Sequence, residues 1–190
     1  MKSARWIAAT SVGFALTGMG LHSPGSSGVG NLFLEWDVSA ALFGAIFGAI
    51  AGAFTGLLQL LALRTREVRL LVAIVITVSV GHGLADGAPA VWGVPLVASL
   101  SGIVAGFAHA WATRLRDPRL IAAVAVAWTI GWLVAVALAG ALSLSGSYEP
   151  AVWTTEHAVI GAVLGLAFGV ATSPAMRRIL RSERALSSAG

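Results

Sequence analysis

Six long apolar stretches constrain how this chain folds, because no lysine or arginine lies well inside any of them. A transmembrane helix needs about 20 mostly apolar residues, and continuous runs of that length do not fit the alternation of a barrel strand. Only helices and closed barrels satisfy the backbone in lipid. The sequence therefore predicts an all-α polytopic membrane protein with six transmembrane helices. They cover Ala4–Leu21, Val38–Leu63, Val68–Ala85, Val91–Thr113, Leu120–Leu142 and Ala151–Thr172.

The composition excludes several other classes of protein. Of the 190 residues, 57% are hydrophobic and 11% are charged, whereas a soluble domain carries about 25% charged residues. These numbers exclude a soluble domain, a disordered chain and a nucleic-acid binder. The absence of cysteine excludes disulfides and cysteine-ligated metal centres. No cofactor is predicted.

The basic residues define an orientation. All twelve lie in four groups: up to the second residue of the first stretch, from the end of the second stretch to the second residue of the third, between the fourth and fifth, and after the sixth. With six spans they share one side with three acidic residues, a net charge of +9, and the five remaining acidic residues give the other side −5. Lys and Arg mark cytoplasmic loops. We therefore predict a bacterial inner-membrane protein with cytoplasmic termini, a disordered tail at 179–190, and interfacial anchors that include Trp6 and Trp111.

Three stretches repeat one pattern without gaps. A small residue occurs three times at intervals of four, a polar residue follows three positions later, and an arginine five positions after that. The chain therefore reads as one membrane domain over 1–178, built from three helical hairpins, 1–64, 65–116 and 117–178. These would be related by a pseudo-threefold axis normal to the membrane. The repeats run from Gly48 to Arg64, from Ala98 to Arg114 and from Gly161 to Arg177.

The repeated small residues form glycine zippers. Such a ridge without side chains lets helix backbones approach closely in lipid. We predict that the ridges of the second, fourth and sixth helices pack together near the axis, covered by the odd-numbered helices, with little room for a wide pore. The ridge glycines are Gly48, Gly52, Gly56, Gly102, Gly106, Gly161, Gly165 and Gly169.

The second stretch also carries a resemblance. Its pattern Gly-x3-Gly-x3-Gly-x2-Gln-x-Leu-x-Leu-Arg, from Gly48 to Arg64, resembles repeated helices in uncharacterised bacterial multi-span membrane proteins. The resemblance covers the even-numbered stretches and implies a type of fold without an activity. The size and six-span form are also similar to the substrate-binding subunits of energy-coupling-factor importers, but none of their motifs occurs here.

The first candidate site is a polar layer formed by Gln59, His109 and Thr172, which occupy the same position in the three repeats. Each lies three residues after its ridge, so all three are expected on the ridge face near the axis. Such a layer would bind a ligand or pass a proton. Alternatively, it joins the helices by hydrogen bonds, or His109 ligates haem or chlorophyll.

The second candidate site lies on the opposite side of the membrane. His82 and Asp86 end the third stretch, and Glu156 and His157 open the sixth. Imidazoles and carboxylates would bind a divalent cation or a cationic solute, or sense pH. Alternatively, they are solvated loop residues. No spacing among them defines a metal site, so metal binding stays open.

Three functional classes remain. The favoured one is a non-enzymatic membrane protein that binds or transports a small solute or ion, because internal repeats are common among transporters. The second is a structural or accessory subunit that joins other membrane subunits.

The third class is an enzyme. Ser101, followed by Gly102 and Gly106, with His157 resembles the Ser/His dyad of rhomboid intramembrane proteases. However, the repeat alignment places His157 about 10 Å in depth from Ser101, and the rhomboid His-x3-Asn element is absent.

Overall fold

The structure is a computed structural model that describes residues 2–20, 37–65, 67–88, 93–114, 117–143 and 158–174. These residues form six helices and no strand, which confirms the all-α class for this part of the chain. By length and composition, α2, α3 and the segment Pro95–Thr113 of α4 are suited to crossing a membrane. The helices are α1 Lys2–Gly20, α2 Val38–Leu63, α3 Val68–Gly87, α4 Gly93–Thr113, α5 Pro118–Ser143 and α6 Ala158–Pro174.

Helices α2 and α4 end in the same way. Each helix ends on an arginine with a left-handed backbone, Arg64 with φ 54° and Arg114 with φ 55°. The amide of Arg64 donates to carbonyl oxygens at the end of α2. Asp117 opens α5 by accepting from the amide of Arg119, and Pro118 stands at the first helical position, where no amide is needed. We name the end of the bundle that carries Arg64 and Arg114 the arginine end.

The glycine ridge of α2 packs directly on the backbone of α3. A Cβ atom at Gly48 would lie 2.5 Å from the carbonyl oxygen of Val78, and one at Gly52 would lie 2.8 Å from the Cα of Val75. Real Cβ atoms do not approach backbone atoms this closely. Only glycine at these positions therefore allows α2 and α3 their present separation.

The ridges of α4 and α6 make the same kind of contact with α5 and α1. A Cβ at Gly102 would lie 2.6 Å from the carbonyl oxygen of Ala125, and one at Gly165 would lie 2.6 Å from that of Thr10. Because α6 packs on α1, the last described helix lies beside the first. The other contacts of these ridges join Gly106 to Ile121, Gly161 to Phe14 and Gly169 to Ile7.

The prediction that the three ridges meet one another near an axis is therefore wrong. Each even-numbered ridge faces an odd-numbered helix instead. The physical reason lies in the centre of the bundle, which needs side-chain volume that glycine ridges do not supply. Aromatic rings fill it. Trp128 lies 5.9 Å from Phe14 and 5.2 Å from Phe168, measured between ring centroids, and all three rings are buried.

Candidate functional site

The three residues of the predicted polar layer are all buried. Gln59, His109 and Thr172 expose 1%, 1% and 0% of their surface, and they lie on α2, α4 and α6. Helical register explains this burial, because each follows its glycine ridge by three residues and shares the face that points into the bundle. Their role in binding stays a prediction.

A chain of hydrogen bonds connects two of these residues through α1. The Gln59 side-chain amide donates to the Thr10 hydroxyl at 2.9 Å, and that hydroxyl donates to the carbonyl of Trp6 at 2.8 Å. The indole N–H of Trp6 donates to the hydroxyl of Thr172 at 2.8 Å. That hydroxyl in turn donates to the carbonyl of Phe168. The buried polar groups of α1, α2 and α6 thus form one network.

His109 approaches this network through Phe168. The two rings meet edge to face with their centroids 4.8 Å apart. The Nδ1 atom of His109 lies 2.9 Å from the carbonyl oxygen of Ala105. A carbonyl oxygen only accepts, so Nδ1 carries the hydrogen, and in the neutral ring Nε2 is left as a bare acceptor. This Nε2 is buried without a hydrogen-bond partner among the described residues.

The side chain of Gln59 supplies another buried acceptor. Its Oε1 atom is buried and meets no donor in the described part of the chain. The hydroxyls of Thr55, one turn earlier on α2, and of Ser11, next to Thr10, are also buried without a partner there. Buried polar groups in proteins are nearly always satisfied. Each of these unsatisfied atoms would therefore gain a hydrogen bond from a small polar molecule that reaches it.

Sequence reasoning missed Thr10 in this site and misplaced Trp6. It was predicted to anchor α1 at the membrane interface, but it is 0% exposed and packs in a cluster with Leu63 of α2, Leu70 of α3 and Ala108 of α4. Its ring is the donor that ties α1 to α6. The available signal was the spacing of Trp6, Thr10 and Phe14, which recur every fourth residue and so share a helix face.

Trp111 does lie at the surface of the arginine end. It is 51% exposed, and the guanidinium carbon of Arg69 stands 5.7 Å from its ring centroid. A cation over an aromatic face is attracted by the negative charge of the ring face. This pair links α3 to α4 beside the buried layer.

The second candidate site is only partly described. The ring of His82 meets Trp132 of α5 edge to face at 6.4 Å, and the carboxylate of Asp86 lies against α2 at Gly44. Their predicted partners Glu156 and His157 lie outside the described residues, as does the tail at 179–190. Within the part of the chain that the structure describes, no three His, Asp or Glu side chains come together as a metal site would need.

Ser101, the serine of the enzymatic alternative, has a structural role. It is 1% exposed. Its hydroxyl donates to the carbonyl of Ala98 at 3.0 Å and accepts from the indole N–H of Trp128 at 2.9 Å. An activated serine needs a base within hydrogen-bond reach, whereas this hydroxyl hydrogen is directed to a backbone carbonyl. The serine therefore joins α4 to α5.

No protein-family model, curated protein or solved structure matches the chain at a significant level. What the buried layer is able to bind follows from its own atoms. Its atoms without a partner among the described residues are two acceptors, His109 Nε2 and Gln59 Oε1, and the hydroxyls of Thr55 and Ser11, which either donate or accept.

Proposed function

We propose that the protein is an integral membrane protein that binds a small solute in this buried polar layer without changing it chemically. The observation that carries the proposal is the bare Nε2 atom of His109, buried on a helix apolar enough to cross a membrane. Intramembrane ionisable side chains are rare and costly, and they usually serve a function.

In this proposal the protein crosses the membrane with six helices. One buried cluster contains residues of all six helices, so α1, α5 and α6 share a core with the three membrane-length helices. The charges favour a bacterial inner membrane, with the arginine end and both termini in the cytoplasm. Three glycine-packed pairs, α2 with α3, α4 with α5 and α6 with α1, support a threefold repeat whose units differ from the predicted hairpins.

The chemistry of the layer favours a solute that donates hydrogen bonds. Nε2 of His109 and Oε1 of Gln59 both only accept in their present states. Ammonium and small primary amines carry several donors and are compact enough to lie between packed helices. Aromatic rings line the same region, and Phe168 stands edge-on to His109. A cation also gains from the face of such a ring.

Thermal unfolding in lipid nanodiscs tests this proposal. Ammonium chloride and methylammonium chloride are compared with sodium chloride at equal ionic strength. A ligand at 100 times its Kd stabilises by about 2.7 kcal/mol, which raises the Tm of a protein of this size by roughly 5–10 °C. We expect one of the amines to raise the Tm and sodium to leave it unchanged.

Two variants sharpen the test. His109→Phe keeps a ring edge against Phe168 but removes the acceptor, so it abolishes the shift. Ser99→Ala is the control on the same helix, because this hydroxyl is exposed and donates to the carbonyl of Pro95, away from the layer. A wild-type protein that no amine stabilises, or a shift that survives His109→Phe, contradicts the proposal. A co-purifying membrane subunit together with the first result favours the accessory-subunit hypothesis.

A further inference from the structure

A groove of about 480 Å³ opens between α1 and α2 at the arginine end. Two exposed arginines line it, Arg5 from α1 and Arg64 from the end of α2. Between them the groove is lined by the small side chains of Ala8, Ala9 and Ala62. Because these side chains are small, they leave a depression that larger residues would fill.

The remaining lining of the groove is apolar. Val12, Leu58 and Leu61 complete it, and Val12 and Leu61 are 51% and 72% exposed. Among the described residues that line the groove, no carboxylate stands beside the two arginines. The groove therefore combines two positive charges with an apolar wall open to the surroundings, which is complementary to an amphiphile with a negative head.

Arg64 is held in position by the backbone. Its amide donates to the carbonyl oxygens of Leu60 and Leu61, and its left-handed conformation ends α2 at this residue. Few non-glycine residues adopt that conformation. The side chain consequently leaves from the end of α2, at the mouth of the groove, where it faces the same space as Arg5.

We propose that this groove binds one anionic phospholipid. The phosphate lies between Arg5 and Arg64, and an acyl chain follows Val12, Leu58 and Leu61. Arginine binds phosphate through paired N–H donors, and basic residues near anionic membrane surfaces bind lipid headgroups. A zwitterionic lipid gains less, because its own cation opposes the two arginines. The proposal is independent of the solute site, since none of its residues belongs to the polar layer.

Native mass spectrometry of the purified protein in detergent tests this site by titration with phosphatidylglycerol or phosphatidylcholine. We expect one tightly held phosphatidylglycerol molecule. Arg5→Gln with Arg64→Gln lowers its affinity by about 25-fold, at about fivefold for each arginine. Arg114→Gln with Arg119→Gln removes the same charge outside the groove and changes the affinity less than twofold. Equal losses in the two double variants overturn the proposal.

Two further measurements separate a lipid site from simple charge attraction. Ala8→Leu and, separately, Ala62→Leu fill the groove and leave every charge in place, so each lowers phosphatidylglycerol affinity at least tenfold while the Tm stays near the wild-type value. Unchanged affinity in both folded variants overturns the proposal. Inorganic phosphate at millimolar concentration does not displace the lipid. Full displacement assigns the arginines to a free phosphate instead and equally overturns it.

Discussion

Replacing Gly48 with alanine tests whether close backbone contact holds α2 on α3. The new Cβ would lie 2.5 Å from the carbonyl oxygen of Val78 and 2.8 Å from the Cα of Ser79. Both are backbone atoms of a helix, so neither rotates away. Gly81 is a matched control on α3, since a Cβ there would meet its nearest neighbour, a ring carbon of Trp128, at an ordinary 3.4 Å.

The difference between the two substitutions follows from these distances. Restoring normal contact at Gly48 separates α2 from α3 by about 0.9 Å, and a gap of that size forfeits a quarter to a half of each dispersion contact along the pair. This places the overpacking cost at about 3 kcal/mol, less about 1 kcal/mol because alanine favours the helix over glycine. Gly48→Ala therefore destabilises by about 2 kcal/mol, whereas Gly81→Ala stabilises by about 1 kcal/mol.

Reversible unfolding in mixed detergent and SDS micelles, followed by tryptophan fluorescence, measures this difference. Gly56→Ala gives an intermediate result, because its Cβ would meet the end of the Leu71 side chain at 2.6 Å, and that side chain rotates. The order of stability is Gly81→Ala, then Gly56→Ala, then Gly48→Ala. Equal unfolding midpoints for Gly48→Ala and Gly81→Ala would refute the close contact of α2 with α3.

Three other substitutions have defined outcomes. Arg114→Gly relieves a left-handed backbone and raises the unfolding free energy by about 1 kcal/mol in SDS titration. Ser101→Ala leaves the indole N–H of Trp128 without its acceptor and lowers the free energy of unfolding by about 1–3 kcal/mol. Adding Trp128→Phe to the Ser101→Ala variant lowers it further by a smaller amount. The amide of Ala40 lowers the pKa of Asp37. This carboxylate therefore stabilises the fold above its ordinary pKa of 3.8, and the stabilisation is lost as the pH falls. Asp37→Asn flattens the dependence of the Tm on pH in this range.

Sequence patterns predicted the positions of the helices well, but they did not predict which helices pack against one another. The bounds of α2 were predicted at Val38–Leu63 and observed there, because Asp37 caps its start and the polar run from Arg64 ends its apolar stretch. The partner of a glycine ridge was not predictable. A ridge without side chains fits any smooth helix backbone, so nothing in the sequence of α2 indicates that α3 packs on it.

In the buried layer as well, helical register was predictable from the sequence, but contacts between helices were not. Burial of Gln59, His109 and Thr172 followed from their spacing after the ridges. The bond from Trp6 to Thr172 did not, because it depends on α6 lying beside α1, which no local pattern expresses. Trp6 also lies next to Arg5, and a tryptophan beside a basic residue is the usual pattern of an interfacial anchor.

The packing of α6 on α1 has a consequence for biosynthesis. Trp6 and Thr172 are 166 positions apart in the chain, and a ribosome adds about 5–20 residues per second. The first helix therefore waits roughly 8–30 s before its partner is made. During that interval the face of Thr10 and Phe14 has no ridge against it, and the indole N–H of Trp6 has no threonine to bind. The packing of α1 is thus completed only after α6 has been synthesised, and any chain released before α6 leaves that face open to lipid or to quality-control proteases.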